Sequence, residues 1–108
     1  MTQRKRDNKE GQGTGLKDRE DHKIQPPKKY KVIMHNDDYT PMNFVVAVLI
    51  QVFHKSETAA HNIMMSVHES GRGVAGIYPK SIAEMKVAKC MSYSQQYRHP
   101  FLVDLESE

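Results

Sequence analysis

Sizeable apolar side chains are almost absent from the first 29 residues of this chain: only Met1, Leu16 and Ile24 precede Tyr30. A segment so poor in apolar surface cannot offset the entropy of ordering it. Whatever folds must therefore fold from residues 30–108, which suffice for one core and not for two. Residues 1–29 read as a disordered arm ending at Pro26-Pro27, either an inert tail or a flexible element laid on a partner. Residues 30–108 read as the domain.

Charge divides at the same place. The arm carries nine Lys/Arg against five acids, a net +4, and residues 30–108 carry seven bases against eight acids, a net −1. A folded nucleic-acid binder keeps its positive charge on the folded face, and this domain does not. A ribosome- or RNA-associated domain with a basic arm is thus the weaker alternative. The longest apolar run, Phe44 to Ile50, is far short of the ~20 residues that span a bilayer. The N-terminus is polar from Thr2 to Asp7, without the apolar core of a secretory signal. A single cysteine, Cys90, excludes an internal disulfide or a multi-cysteine metal site. A cytoplasmic, monomeric protein is the expectation.

The pattern from Tyr30 onward alternates elements. Tyr30 to His35 is β-rich and mostly apolar on both faces, which predicts an inner strand. Asn36 to Tyr39 is a loop. Thr40 can cap a helix and Pro41 is pre-set for its first turn, so Met42 to Phe53 reads as helix. Ser56 caps a second helix to about Ser70, ended by Gly71-Arg72-Gly73. Val74 to Tyr78 reads as a strand, Lys80 to about Tyr97 as a helix, and Phe101 to Leu105 as a strand after the His99-Pro100 break. The expected class is α+β, in the order β-α-α-β-α-β. Three helices pack on one face of a small three-stranded antiparallel sheet.

The residues that carry chemistry point to binding rather than catalysis. Adjacent Asp37 and Asp38 in an extended loop point different ways, a poor acid/base pair or metal clamp. They either end the strand and favour the positive end of the next helix, or they meet a cation at a loop mouth together with Asn36. His68 lies about 40° from Met64 at the edge of the stripe Ala60-Ile63-Met64-Val67. His61 and His68, roughly 10.5 Å apart along a helix, cannot share a metal, and a metalloenzyme built on Asp37, Asp38 and His68 lacks a further ligand at short spacing. Met42 sits where it can flank a pocket mouth, since Met lines surfaces that accept varied apolar groups. Gly71-Arg72-Gly73 lacks the features of a phosphate loop, and no nucleophile–base–orienter set is present. The chain reads as a non-enzymatic binding module without cofactor, and its ligand pairs a positive group with an apolar one.

The stretch Tyr30-Lys31-Val32-Ile33 and Asn36-Asp37-Asp38-Tyr39-Thr40-Pro41-Met42-Asn43-Phe44-Val45 resembles the signature of the ClpS adaptor family. The likeness continues through Val67-His68, Gly73-Val74-Ala75-Gly76, Ala83-Glu84-Met85-Lys86-Val87-Ala88 and His99-Pro100. It implies an adaptor that binds proteins beginning with Leu, Phe, Tyr or Trp and hands them to the ClpA unfoldase of the ClpAP protease. By that resemblance Asn36, Asp37, Asp38 and His68 contact the free amine. Thr40, Met42, Val45, Met64, Val67 and Phe101 form the hydrophobic pocket, Met42 acting as a gate and Met64 turning branched side chains away. Glu84 and Lys86 face the unfoldase. Phe101 stands where the family usually has Leu, Ser81 where Glu is common, and His35 where an apolar residue is common.

Overall fold

The computed structural model describes residues 26–108, so most of the expected N-terminal arm lies outside the described residues. Six elements follow in order. They are β1 (Lys29–His35), α1 (Met42–Gln51), α2 (Glu57–Ser70), β2 (Arg72–Pro79), α3 (Lys80–Gln96) and β3 (Leu102–Ser107). The sheet order is β2-β1-β3 with both pairings antiparallel. The apolar run Val32-Ile33-Met34 occupies the middle of the central strand and is buried on both faces.

The two faces are covered differently. Val32 and Met34 join the main core with Val48 and Leu49 of α1, Ala60, Met64 and Val67 of α2, Ala83 and Cys90 of α3, and Phe101 and Val103. Ile33 points to the opposite face, outside that core, yet is only 1% exposed. Arg72 pairs in register with His35 on one side of β1, and Glu106 pairs with Lys31 on the other. The Arg72–Glu106 ion pair, 3.0 Å long, therefore runs diagonally across β1 and roofs Ile33.

Element ends depart slightly from the sequence pattern, for reasons visible in their hydrogen bonds. Helix α1 stops at Gln51 rather than Phe53. His54 takes a left-handed φ of 55°, and the Lys55 amide donates back to the Leu49 carbonyl at 3.2 Å. The Lys86 ammonium, lying over the Phe53 and Tyr78 rings, takes up the Val52 carbonyl at 2.7 Å. Strand β1 begins at Lys29, and β2 runs from Arg72 to Pro79, because the ladder uses the whole of β1 from Lys29↔Pro79 to His35↔Arg72. A bulge between Val32 and Ile33 in that ladder accommodates Ala75. Helix α2 follows its expected limits: Ser56 accepts from the Ala59 amide at 3.1 Å, and Gly71 (φ 89°) closes it.

After α3 the chain turns through Arg98 (φ 59°), and Phe101 precedes β3 instead of opening it. Buried Ser94 fixes this corner, sharing its hydroxyl proton between the Cys90 carbonyl (3.0 Å) and the Phe101 carbonyl (3.1 Å). Burial, partly offset by the Lys86 charge, pushes the Cys90 thiol up to about 12. It remains protonated at neutral pH and makes a poor nucleophile.

Candidate functional site

The end of β1, the loop 36–41, the first turn of α1, the second half of α2 and Phe101 converge on one cavity of about 260 Å³. Helix α2 is held to the loop by a backbone bond, Asn36 N–H to the Gly71 carbonyl at 2.9 Å. Because Gly71 lies one turn past His68, this bond brings Asn36 and His68 to the same mouth.

The cavity has two zones. Asn36, Asp37, Asp38 and His68 line its polar part, and Asn36, Asp38 and His68 are exposed. Val45, Met64, Val67 and Phe101 form its apolar wall, each buried, with Phe101 at 1% exposure. Thr40 and Met42 line the boundary, and Met42 is 42% exposed, a flexible side chain at the rim. Phe44 braces Phe101 from behind, edge to face at 6.1 Å between ring centres. For scale, an apolar cavity of about 150 Å³ holds a benzene ring.

All ten residues singled out around Asn36 and Met42 border this one space. His35 also lines it, and sequence reasoning gave it no role. Its signal is a polar residue directly after the apolar run Val32-Ile33-Met34. His35 Nε2 lies 3.0 Å from Asp104 Oδ1. Glu84 and Lys86 lie on α3 and are not part of the cavity wall. Glu84 is exposed, whereas the Lys86 ammonium is tied to Val52.

The sequence predicts Thr40 as the cap of α1, and here the structure corrects it. Pro41 occupies the cap position without any side-chain bond. The Thr40 hydroxyl instead donates to Asp37 Oδ2 at 2.7 Å, while the Tyr39 and Thr40 amides donate to Asp37 Oδ1 at 2.8 and 2.7 Å. Asp37 thus folds the loop around its own carboxylate, because a charged acceptor makes stronger hydrogen bonds to local donors than a neutral one does. Burial would raise the Asp37 carboxyl, but these three bonds and the nearby His99 outweigh it, and its pKa lies below the usual carboxylate value. A carboxylate has about four acceptor positions. Three are used within the loop, leaving Oδ2 with one open.

Chemically, the mouth offers acceptors: an amide oxygen from Asn36, two carboxylates and a ring nitrogen of His68. Among the described residues, no three His, Cys, Asp or Glu side chains are grouped to hold a metal ion. No helix among them is long and apolar enough to cross a membrane.

Comparison with known proteins bears on this geometry. A sequence profile described as "ATP-dependent Clp protease adaptor protein ClpS" matches residues 25–104. A protein of Shewanella loihica named ATP-dependent Clp protease adapter protein ClpS is 45% identical over 91 residues, covering 84% of this chain and 89% of its own. Its namesake from Shewanella denitrificans is 44% identical over 98 residues, covering 91% and 96%. The solved structure of Agrobacterium tumefaciens ClpS2 bound to L-phenylalaninamide is similar at a TM-score of 0.74 and 37% identity, over 77% of this chain and all of that one.

Proposed function

The chain belongs to the ClpS family of Clp protease adaptors, and from that premise we propose that its cavity captures proteins by a free N-terminal amine and a bulky apolar first side chain. The adaptor is not an enzyme, and its partner is a Clp protease. The finer reading is that Leu, Phe, Tyr and Trp are the accepted first residues and that ClpA is the unfoldase served.

One observation carries the proposal: a polar mouth made of acceptors opens directly onto an apolar wall within a single cavity. A peptide α-amine has a reference pKa of ~7.7–8.0 and is largely charged at neutral pH. Its three N–H groups can donate to acceptors drawn from Asn36 Oδ1, the open position on Asp37 Oδ2, Asp38 and a ring nitrogen of His68. Burying a Leu or Phe side chain beyond them contributes ~1.5–3 kcal/mol. Neither zone suffices alone, so selectivity needs both. The phenylalaninamide held by the Agrobacterium relative has this chemistry, an amine and an aromatic side chain, with an amide where a first peptide bond would stand.

Delivery to ClpA is assigned to the exposed surface of α3 around Glu84. Lys86, half-buried on the same helix, has its ammonium bonded to the Val52 carbonyl.

The test compares two peptides differing only in a free or acetylated N-terminal Phe, by fluorescence anisotropy. The free peptide is expected to bind with a dissociation constant on the order of micromolar or tighter, and the acetylated one far more weakly, because it leaves the mouth acceptors unpaired. Asp37→Ala and His68→Ala are each expected to abolish capture of the free peptide. Equal binding of both peptides would refute amine recognition.

A further inference from the structure

Two glycines flank Arg72, and they serve different ends. Gly71 has the left-handed φ of 89° and open space around its missing side chain, so its requirement is conformational. Gly73 has no such φ, and any residue could adopt its backbone. A Cβ there would instead meet Val67 Cγ2 at 2.8 Å, with the Val67 amide nitrogen at 3.6 Å and the Ile63 carbonyl oxygen at 3.8 Å. Real Cβ atoms essentially never approach another heavy atom within 3.0 Å, so the requirement at Gly73 is steric, and it falls on a residue of the cavity wall.

We propose that Gly73 is a positioning residue that sets the width of the cavity. Its missing side chain lets α2 lie close on β2 and holds Val67 and Met64 back from the α1 wall. This rests on the reading that the cavity takes the first side chain of a peptide. Val67 has little freedom to step aside. It is 2% exposed, and a β-branched side chain in a helix keeps essentially one χ1 rotamer. An added methyl at residue 73 must therefore turn Val67 against that preference or lift α2 off β2. Val67 and Met64 line the cavity together with Val45 of α1, and Gly73 does not line it. Pushed from the Gly73 side, Val67 and the helix that carries it encroach on that shared space and narrow it. A narrower cavity penalises an aromatic first residue more than Leu.

The experiment uses the full-length chain and two peptides beginning with free Phe or free Leu, titrated against wild type, Gly73→Ala, Val67→Ala and the double variant. In Gly73→Ala, affinity for Phe is expected to fall about tenfold relative to Leu, the scale of one methylene in a tight apolar site. Trimming Val67 as well returns the missing room, so the double variant is expected to recover the Phe-to-Leu ratio to within about twofold of Val67→Ala alone. An unchanged ratio in folded Gly73→Ala overturns the proposal, and so does a reduced ratio that the double variant does not restore. Should Gly73→Ala fail to fold, the double variant decides. A folded double with the ratio of Val67→Ala supports the steric contact, and an unfolded double overturns it. Wild type that binds neither peptide refutes the capture reading and this inference with it. Wild type that binds both, with Gly73→Ala unchanged, refutes this inference alone.

Discussion

The Asp37 carboxylate and Thr40 make two hydrogen bonds, both 2.7 Å long, one to the Thr40 amide and one to its hydroxyl. Together with the Tyr39 amide they fix the carboxylate before any ligand arrives. On the capture reading proposed above, an amine meets an acceptor whose orientation is already set, which lowers the entropic cost of binding. Thr40→Val keeps the shape and removes only the hydroxyl donor. It is expected to cost about 1 kcal/mol of stability and to weaken free-amine peptide binding about fivefold. Thermal unfolding and anisotropy titration check both, and wild-type affinity in the variant would show that the loop holds Asp37 without Thr40.

Asp37 also has a signature in acid. Its folded-state pKa is depressed, because the Thr40 and Tyr39 donors and His99 outweigh the effect of burial. A depressed pKa means the folded state holds the carboxylate more strongly than the unfolded state does. That stabilisation is complete above the unfolded value of ~3.9 and is lost as pH falls from there through the folded pKa. The stability difference between wild type and Asp37→Asn is therefore expected to be flat from neutral pH down to about pH 5. It should shrink only in stronger acid. Urea titrations across that range read it, and a difference that already declines near neutral pH would assign the effect to another group.

Lys86 and Glu84 are expected to separate in their effects. Lys86 bonds the Val52 carbonyl at 2.7 Å and lies 5.6 and 5.2 Å from the Phe53 and Tyr78 ring centres. Lys86→Ala should lose about 2 kcal/mol of stability, with a clear fall in Tm. Glu84, exposed on the same helix, should leave Tm nearly unchanged when replaced by Ala and reduce ClpA-dependent degradation of a captured substrate. Equal Tm for wild type and Lys86→Ala would show that the ammonium contributes no stability.

The roof over Ile33 distinguishes charge from packing. Both partners of the Arg72–Glu106 pair are about half exposed, and an exposed ion pair contributes only ~0–1 kcal/mol. The aliphatic stem of Arg72 can cover Ile33 without its charge. Arg72→Ala is therefore expected to cost about 1 kcal/mol and Arg72→Met less than half as much, by chemical denaturation. Equal losses would place the stabilisation in the ion pair itself.

Much of this protein is legible in the order of its residues. The β-rich, apolar run Val32-Ile33-Met34 fits a central strand, because a strand with neighbours on both sides and cover on both faces buries consecutive side chains. Ser56 and Gly71 delimit α2 by short-range hydrogen bonding and backbone conformation. The motif from Asn36 to Met42 supplies five of the residues that line the cavity: Asn36, Asp37, Asp38, Thr40 and Met42. These signals are local, so sequence carries them. The role of Thr40 is not legible in the same way: capping α1 and bonding Asp37 are both local options, and the conformation of the loop chose between them. Nor could sequence disclose that Lys86 spends its charge on Val52, 34 residues away, that Arg72 reaches across β1 to Glu106, or that Gly73 leaves room for Val67. Those relationships depend on the register of the sheet and the approach of one helix to it, which packing over long sequence separations decides.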